Sequence, residues 1–96
     1  MMKYSVALKV VSVNNVFNDE YKLIYTCKDK DGQNYEFISE VKIPMYNYIA
    51  MEFTHYTIVK GVIRPIGYSI YPLNVKDNKL YLYHTLFKSK NSPKIN

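Results

Sequence analysis

Two histidines, one cysteine and the run Asp29-Lys30-Asp31-Gly32 are the side chains of this 96-residue chain whose types could support covalent or metal chemistry. A nucleophile needs a base within hydrogen-bond reach and a third group that orients the base. His55 and His84 have no acidic residue or cysteine at a recognisable spacing, so they read as surface or structural histidines beside strands. Cys27 alternates with Leu23 and Tyr25, which places it in a core, where apolar burial raises a thiol's pKa and suppresses its reactivity. One Cys and two distant His do not make a zinc ligand set. The run at 29–32 looks like a calcium loop, but an EF-hand needs a third oxygen ligand before its Gly and a Glu at its end. Here the Gly comes two positions early between strand-like flanks, so the run is a hairpin turn. Three unclustered Gly form no phosphate-cradling loop. The expectation is a binding protein with no catalytic centre, metal or cofactor.

What remains is lysine interleaved with aromatic rings. Binding single strands without sequence preference needs cations along the backbone path and flat rings on which bases stack. The candidates for stacking are Tyr21, Tyr35, Tyr68 and Tyr71, and those for phosphate contact are Lys22, Lys28, Lys30, Lys60 and Arg64. The bland reading competes at every position. Aromatics alternating along strands are mostly core, and outward lysines are commonly solvated or guard a sheet edge.

These residues must be positioned by strands. From Lys3 the chain alternates, with Tyr4, Val6, Leu8 and Val10 on one face and Lys3, Ser5, Ala7 and Lys9 on the other. The apolar phase then passes to Val11 and Val13, as a β-bulge produces, and bulges bend strands around barrels. Asn14 to Glu20 reads as a turn or loop. A second strand over about Tyr21–Lys28, the turn at 29–32 and a third strand over about Gln33–Val41 form the firmest hairpin. Pro44 could open a short helix, with Met45, Ile49 and Phe53 following at four-residue spacing on one helical face. Extended structure resumes near Tyr56 with the β-branched run Thr57–Arg64, punctuated by Pro65 and Gly67, and a further run follows over Tyr68–Val75. Lys76–Lys79 reads as another turn, leading to an arm over Leu80–His84.

The expected fold is mostly β: a small OB-like or SH3-like β-barrel with one short helix between the third and fourth strands. Residues 1–87 would form the single domain and residues 88–96 a flexible basic tail. Thirteen Lys and Arg against eight Asp and Glu give a net charge of +5, which favours anionic partners and argues against DNA mimicry. Twelve of those cations are Lys, which suits point contacts with phosphate more than base reading by Arg. An AT-rich coding sequence would produce a similar Lys, Asn, Ile and Tyr bias. The eleven Tyr, with no Trp, suit half-buried strands and wet interfaces equally. A lone Cys excludes an internal disulfide and suggests a reducing compartment. With no signal-peptide pattern and no run long enough to span a bilayer, a cytoplasmic protein without membrane contact is expected.

The stretch Tyr56-Thr-Ile-Val, with Gly67-Tyr-Ser-Ile70 and Leu73-Asn-Val75, resembles the closing strands of the filamentous-phage single-stranded-DNA-binding proteins. The likeness lies mainly over residues 56–75 and rests on no invariant motif. It implies an OB-fold homodimer that coats single strands using tyrosines with Lys and Arg. The chain departs from that group in a shorter aromatic hairpin and in the extra arm around Leu80–Tyr83.

The sequence therefore points to a protein that binds single-stranded DNA or RNA with little specificity. The alternative is a small interaction module, of phage or mobile-element origin, that docks on a host or replication protein and inhibits or redirects it. A structural subunit of a larger assembly is a third reading.

Overall fold

The computed structural model describes residues 3–76 and Pro93. Seven strands form one sheet: β1 (Tyr4–Val16), β2 (Asp19–Lys28), β3 (Asn34–Ser39), β4 (Asn47–Phe53), β5 (His55–Val59), β6 (Val62–Ile66) and β7 (Ser69–Lys76). Their order is β5-β6-β3-β2-β1-β4-β7, and every pairing is antiparallel except the short parallel contact of β3 with β6. The sheet is curled into a half-barrel. Only Thr54 separates β4 from β5, so the circuit of pairings from β1 through β2, β3, β6 and β5 returns directly to β4 and β1.

The bulge appears where the alternation changes phase. Val10 pairs with Cys27 and Ser12 with Thr26, which leaves Val11 as the extra residue of β1. The inward set accordingly passes from Val6, Leu8 and Val10 to Val13. The β2–β3 hairpin also forms as expected, with Tyr25 opposite Phe37 and Cys27 opposite Tyr35.

Three expectations are corrected. The polar segment at 14–20 is not a loop. β1 continues to Val16 and turns through Phe17 and Asn18, whose φ of 64° is the left-handed conformation that Asn tolerates. No helix lies between β3 and β4. Met45, Ile49 and Phe53 are four apart, and four is also an even number, so the same spacing serves one face of a strand. Ile49, Met51 and Phe53 do line one buried face of β4, while Tyr48 and Ala50 are buried on the other, so no solvated face is left to mark a helix. The run 57–64 is not one strand: it reverses at Lys60-Gly61, both at positive φ, in a two-residue hairpin turn. β5 and β4 then pair with β6 and β7 in one continuous register, from Val59↔Val62 to Met51↔Ile70. Pro93, the one described residue of the segment 88–96, is buried, and its carbonyl accepts a hydrogen bond from Gln33 Nε2 at 2.6 Å. The expected arm at 80–84, His84 and the other tail residues lie outside the described residues.

The core is the inward face of β1–β4 and β6, where Val6, Leu8, Val10, Tyr25, Cys27, Tyr35, Phe37, Ile49, Met51, Phe53 and Ile63 meet. Burying each large apolar side chain contributes about 1.5–3 kcal/mol. Pro65 has no N–H to extend the β3–β6 ladder, which stops at Tyr35↔Ile63. Asp29 is buried in the β2–β3 turn, where its carboxylate accepts from the Asp31 and Gln33 amides at 2.9 and 3.0 Å and from Gln33 Nε2 at 3.0 Å. The residue that resembled a calcium ligand is thus occupied with its own turn.

Candidate nucleic-acid interface

On the outward face of the sheet, Lys9 of β1 stands directly opposite Lys28 of β2. Like charges in that relationship are destabilising. Among the described residues neither has a carboxylate partner, whereas Lys3, Lys22 and Arg64 are paired with Glu52, Asp19 and Glu36. Lys9 Nζ lies 5.7 Å from the centroid of the Tyr46 ring and 5.9 Å from that of Tyr48. Such ring contacts attract a cation without neutralising it.

Tyr46 reaches this place through a strained turn. The Asn47 amide donates to the Pro44 carbonyl at 3.2 Å, closing a four-residue turn, and the Tyr46 amide donates to the Val10 carbonyl at 2.7 Å. Tyr46 occupies the third position with φ of 68°, where Gly or Asn is the usual occupant. A side chain there costs about 1–3 kcal/mol, and such strain concentrates at functional sites. The ring is half exposed, while Tyr48 beneath the same lysine is buried. Tyr71, opposite Ala50 in the β4–β7 register, is half exposed in the row next to Tyr48. Lys30, exposed in the turn that follows Lys28, adds a further cation nearby in the chain.

Lys28, Lys30 and Tyr71 from the sequence reading therefore fall on or beside this face. The others do not gather there. Tyr35 is corrected outright: it is wholly buried, its ring meets Phe53 edge-on at 6.4 Å, and its hydroxyl approaches Asp29 Oδ2 at 3.4 Å. Burial first, and then the negative charge of Asp29, push its phenol far above the ordinary range. Tyr68 is partly buried against Phe37, and its hydroxyl donates to the Ile38 carbonyl. Burial raises its pKa too, against the opposing effect of that hydrogen bond. Arg64 is engaged by Glu36 at 3.2 Å, and Lys22 by Asp19 at 3.8 Å. Lys60 is exposed in the β5–β6 turn, away from β1 and β2 in the strand order. Tyr21 is 73% exposed and lines an open groove of mixed charge with Asp19, Glu20, Glu40 and Lys42, apart from the Lys9–Lys28 pair.

Sequence reasoning missed Lys9 and Tyr46. The alternation of β1 did place Lys9 outward, but its pairing with Lys28 depends on a register that the bulge at Val11 shifts. Tyr46 was hidden in a segment read as helix. Comparison with protein-family models, with curated proteins and with solved structures yields no match to this chain.

Proposed function

We propose that this chain binds single-stranded nucleic acid with little sequence preference, on an OB-like barrel, through the outward face of β1 and β2. Lys9, Lys28 and Lys30 neutralise phosphates, and Tyr46 and Tyr71 offer rings for stacking. The observation that carries this reading is the Lys9–Lys28 pair, which has no carboxylate partner among the described residues, beside a half-exposed tyrosine in a strained turn. Both features oppose folding, and an anionic, base-bearing ligand relieves the first and uses the second. The circuit of pairings, with a bulged first strand, supports the OB-like reading.

The test is a titration with oligo-dT followed by tyrosine emission at low and moderate salt. Saturating quenching that weakens as salt rises supports the reading. A flat signal at low salt, where electrostatic binding is strongest, removes it.

One observation favours the second reading, a protein-interaction module. Phe17 is 88% exposed at the tip of the β1–β2 hairpin, where it contributes little to the core. The outer part of this hairpin, beyond Leu23, is paired by neither β3 nor β4, so that among the described residues it is two-stranded. Capture of a protein partner that is lost with Phe17→Ser, together with no oligonucleotide binding, would favour this alternative.

A further inference from the structure

The β2–β3 turn adjoins the lysine pair, because Lys28 is the last residue of β2 and Lys30 lies within the turn. Asp29 between them is buried, and its carboxylate organises the turn. Oδ1 accepts from the Asp31 and Gln33 amides at 2.9 and 3.0 Å. Oδ2 accepts from Gln33 Nε2 at 3.0 Å, and the Tyr35 hydroxyl stands farther off at 3.4 Å. A carboxylate stays buried only while hydrogen bonds replace the water it has lost.

Gln33 Nε2 carries two hydrogens, and two acceptors are within reach of it. The second is the Pro93 carbonyl at 2.6 Å, 60 positions away in the sequence. The Pro93 side chain is wholly buried. An amide held at both hydrogens does not swing out to water, so the bond to Pro93 keeps the donor aimed at Asp29.

We infer that Gln33 is a positioning residue of the lysine face, through which the docking of Pro93 fixes the turn that carries Lys30 beside Lys28. The inference rests on the nucleic-acid reading of those lysines. Several cations bind a polyanion more tightly when they are held in place beforehand, since less ordering remains to be done on association. With the joint made, Asp29 stays inside and the turn presents Lys30 next to Lys28. With it broken, Asp29 Oδ2 keeps only the longer phenol contact among the described residues. The carboxylate then turns toward water, and the turn loosens around Lys30. Such coupling is reciprocal, so an oligonucleotide held at the turn favours the docked Pro93.

The experiment compares the full chain with Gln33→Leu, Pro93→Gly and Lys30→Ala, with oligo-dT as the probe. Gln33→Leu keeps the bulk and removes the donor, and Pro93→Gly loosens the far side of the joint without altering the turn. Two quantities are read: the salt dependence of oligo-dT affinity, and amide hydrogen exchange at Asp31 and Gln33 without ligand. In Gln33→Leu and in Pro93→Gly the salt slope should shrink by about 0.7, the loss of one phosphate contact. The two amides should exchange about fivefold faster, as the loss of one hydrogen bond implies. In a Lys30→Ala background neither substitution should change the slope further, because the contact that the joint positions is gone. A merely structural role would lower unfolding midpoints and leave the slope at its wild-type value, which overturns the inference. Exchange unchanged in Pro93→Gly overturns the joint itself. A wild type that ignores oligo-dT at low salt overturns the nucleic-acid reading, and the positioning role with it. Circular dichroism identifies a variant that has not folded, and Pro93→Gly, outside the seven strands, decides the matter if Gln33→Leu fails.

Discussion

The Tyr25 hydroxyl, at the centre of the core, accepts a hydrogen bond from the buried Ile43 amide at 2.9 Å and donates to the Val41 carbonyl at 2.5 Å. One phenol on β2 thereby holds both sides of the loop that leads to Tyr46. The ring is wholly buried and stacks on Phe37 at 5.4 Å, so the loop is anchored to the hydrophobic core. Core packing and the candidate binding face are linked through this contact.

Tyr25→Phe should keep the ring and lose both bonds, leaving the Ile43 N–H without a partner. The expected destabilisation is about 1–3 kcal/mol. Urea unfolding should show a lower midpoint with an unchanged slope. Oligo-dT affinity should fall as well if the loop positions Tyr46 for stacking.

Lys9→Ala and Lys28→Ala should each weaken oligo-dT binding and reduce the salt slope by about 0.7. Lys28→Ala should not destabilise the fold, because it removes a repulsion between directly opposed cations, whereas Lys9→Ala also gives up the ring contacts with Tyr46 and Tyr48. In Lys28→Ala the combination of weaker binding with equal or higher stability separates a binding role from a structural one. An unchanged salt slope in both variants would remove these lysines from the site.

Tyr46→Gly relieves a side chain held at φ of 68°. Stability should rise by up to about 1 kcal/mol, while binding loses a stacked base, on the order of 1–3 kcal/mol. Thermal midpoint and oligonucleotide affinity should move in opposite directions. If both fall together, Tyr46 is structural.

Alkaline pH should unfold the protein. Burial raises the Cys27 thiol above its ordinary 9.0 and the Tyr35 phenol above its ordinary 10.0, so both stay protonated in the folded chain. A raised folded pKa contributes stability that is fully present below the unfolded value and is lost as pH rises beyond it. Stability should therefore be level to about pH 9 and then fall, by up to about 1.4 kcal/mol per pH unit for each group. In Cys27→Ala the decline should begin nearer the tyrosine's 10.0. Thermal midpoints measured between neutral pH and pH 11 test this, and a decline that begins at the same pH in both proteins would show that Cys27 does not contribute.

Local pattern alone determined the alternating first strand, the bulge at Val11 and the hairpin over the Asp29–Gly32 turn. Each rests on spacing along the chain or on the turn chemistry of Asp and Gly, which neighbouring residues carry themselves. Tertiary structure decided the rest. Whether Met45, Ile49 and Phe53 line a helix or a strand depends on what covers the opposite face, because a spacing of four suits both. β4 is buried on both faces between β1 and β7. Tyr35 and Tyr71 both fit a strand, and only the curl of the sheet buries one and leaves the other half exposed. The Lys9–Lys28 pair lies 19 positions apart in sequence. A register displaced by one residue would turn one of the two lysines to the other face, so only the folded sheet could bring them together.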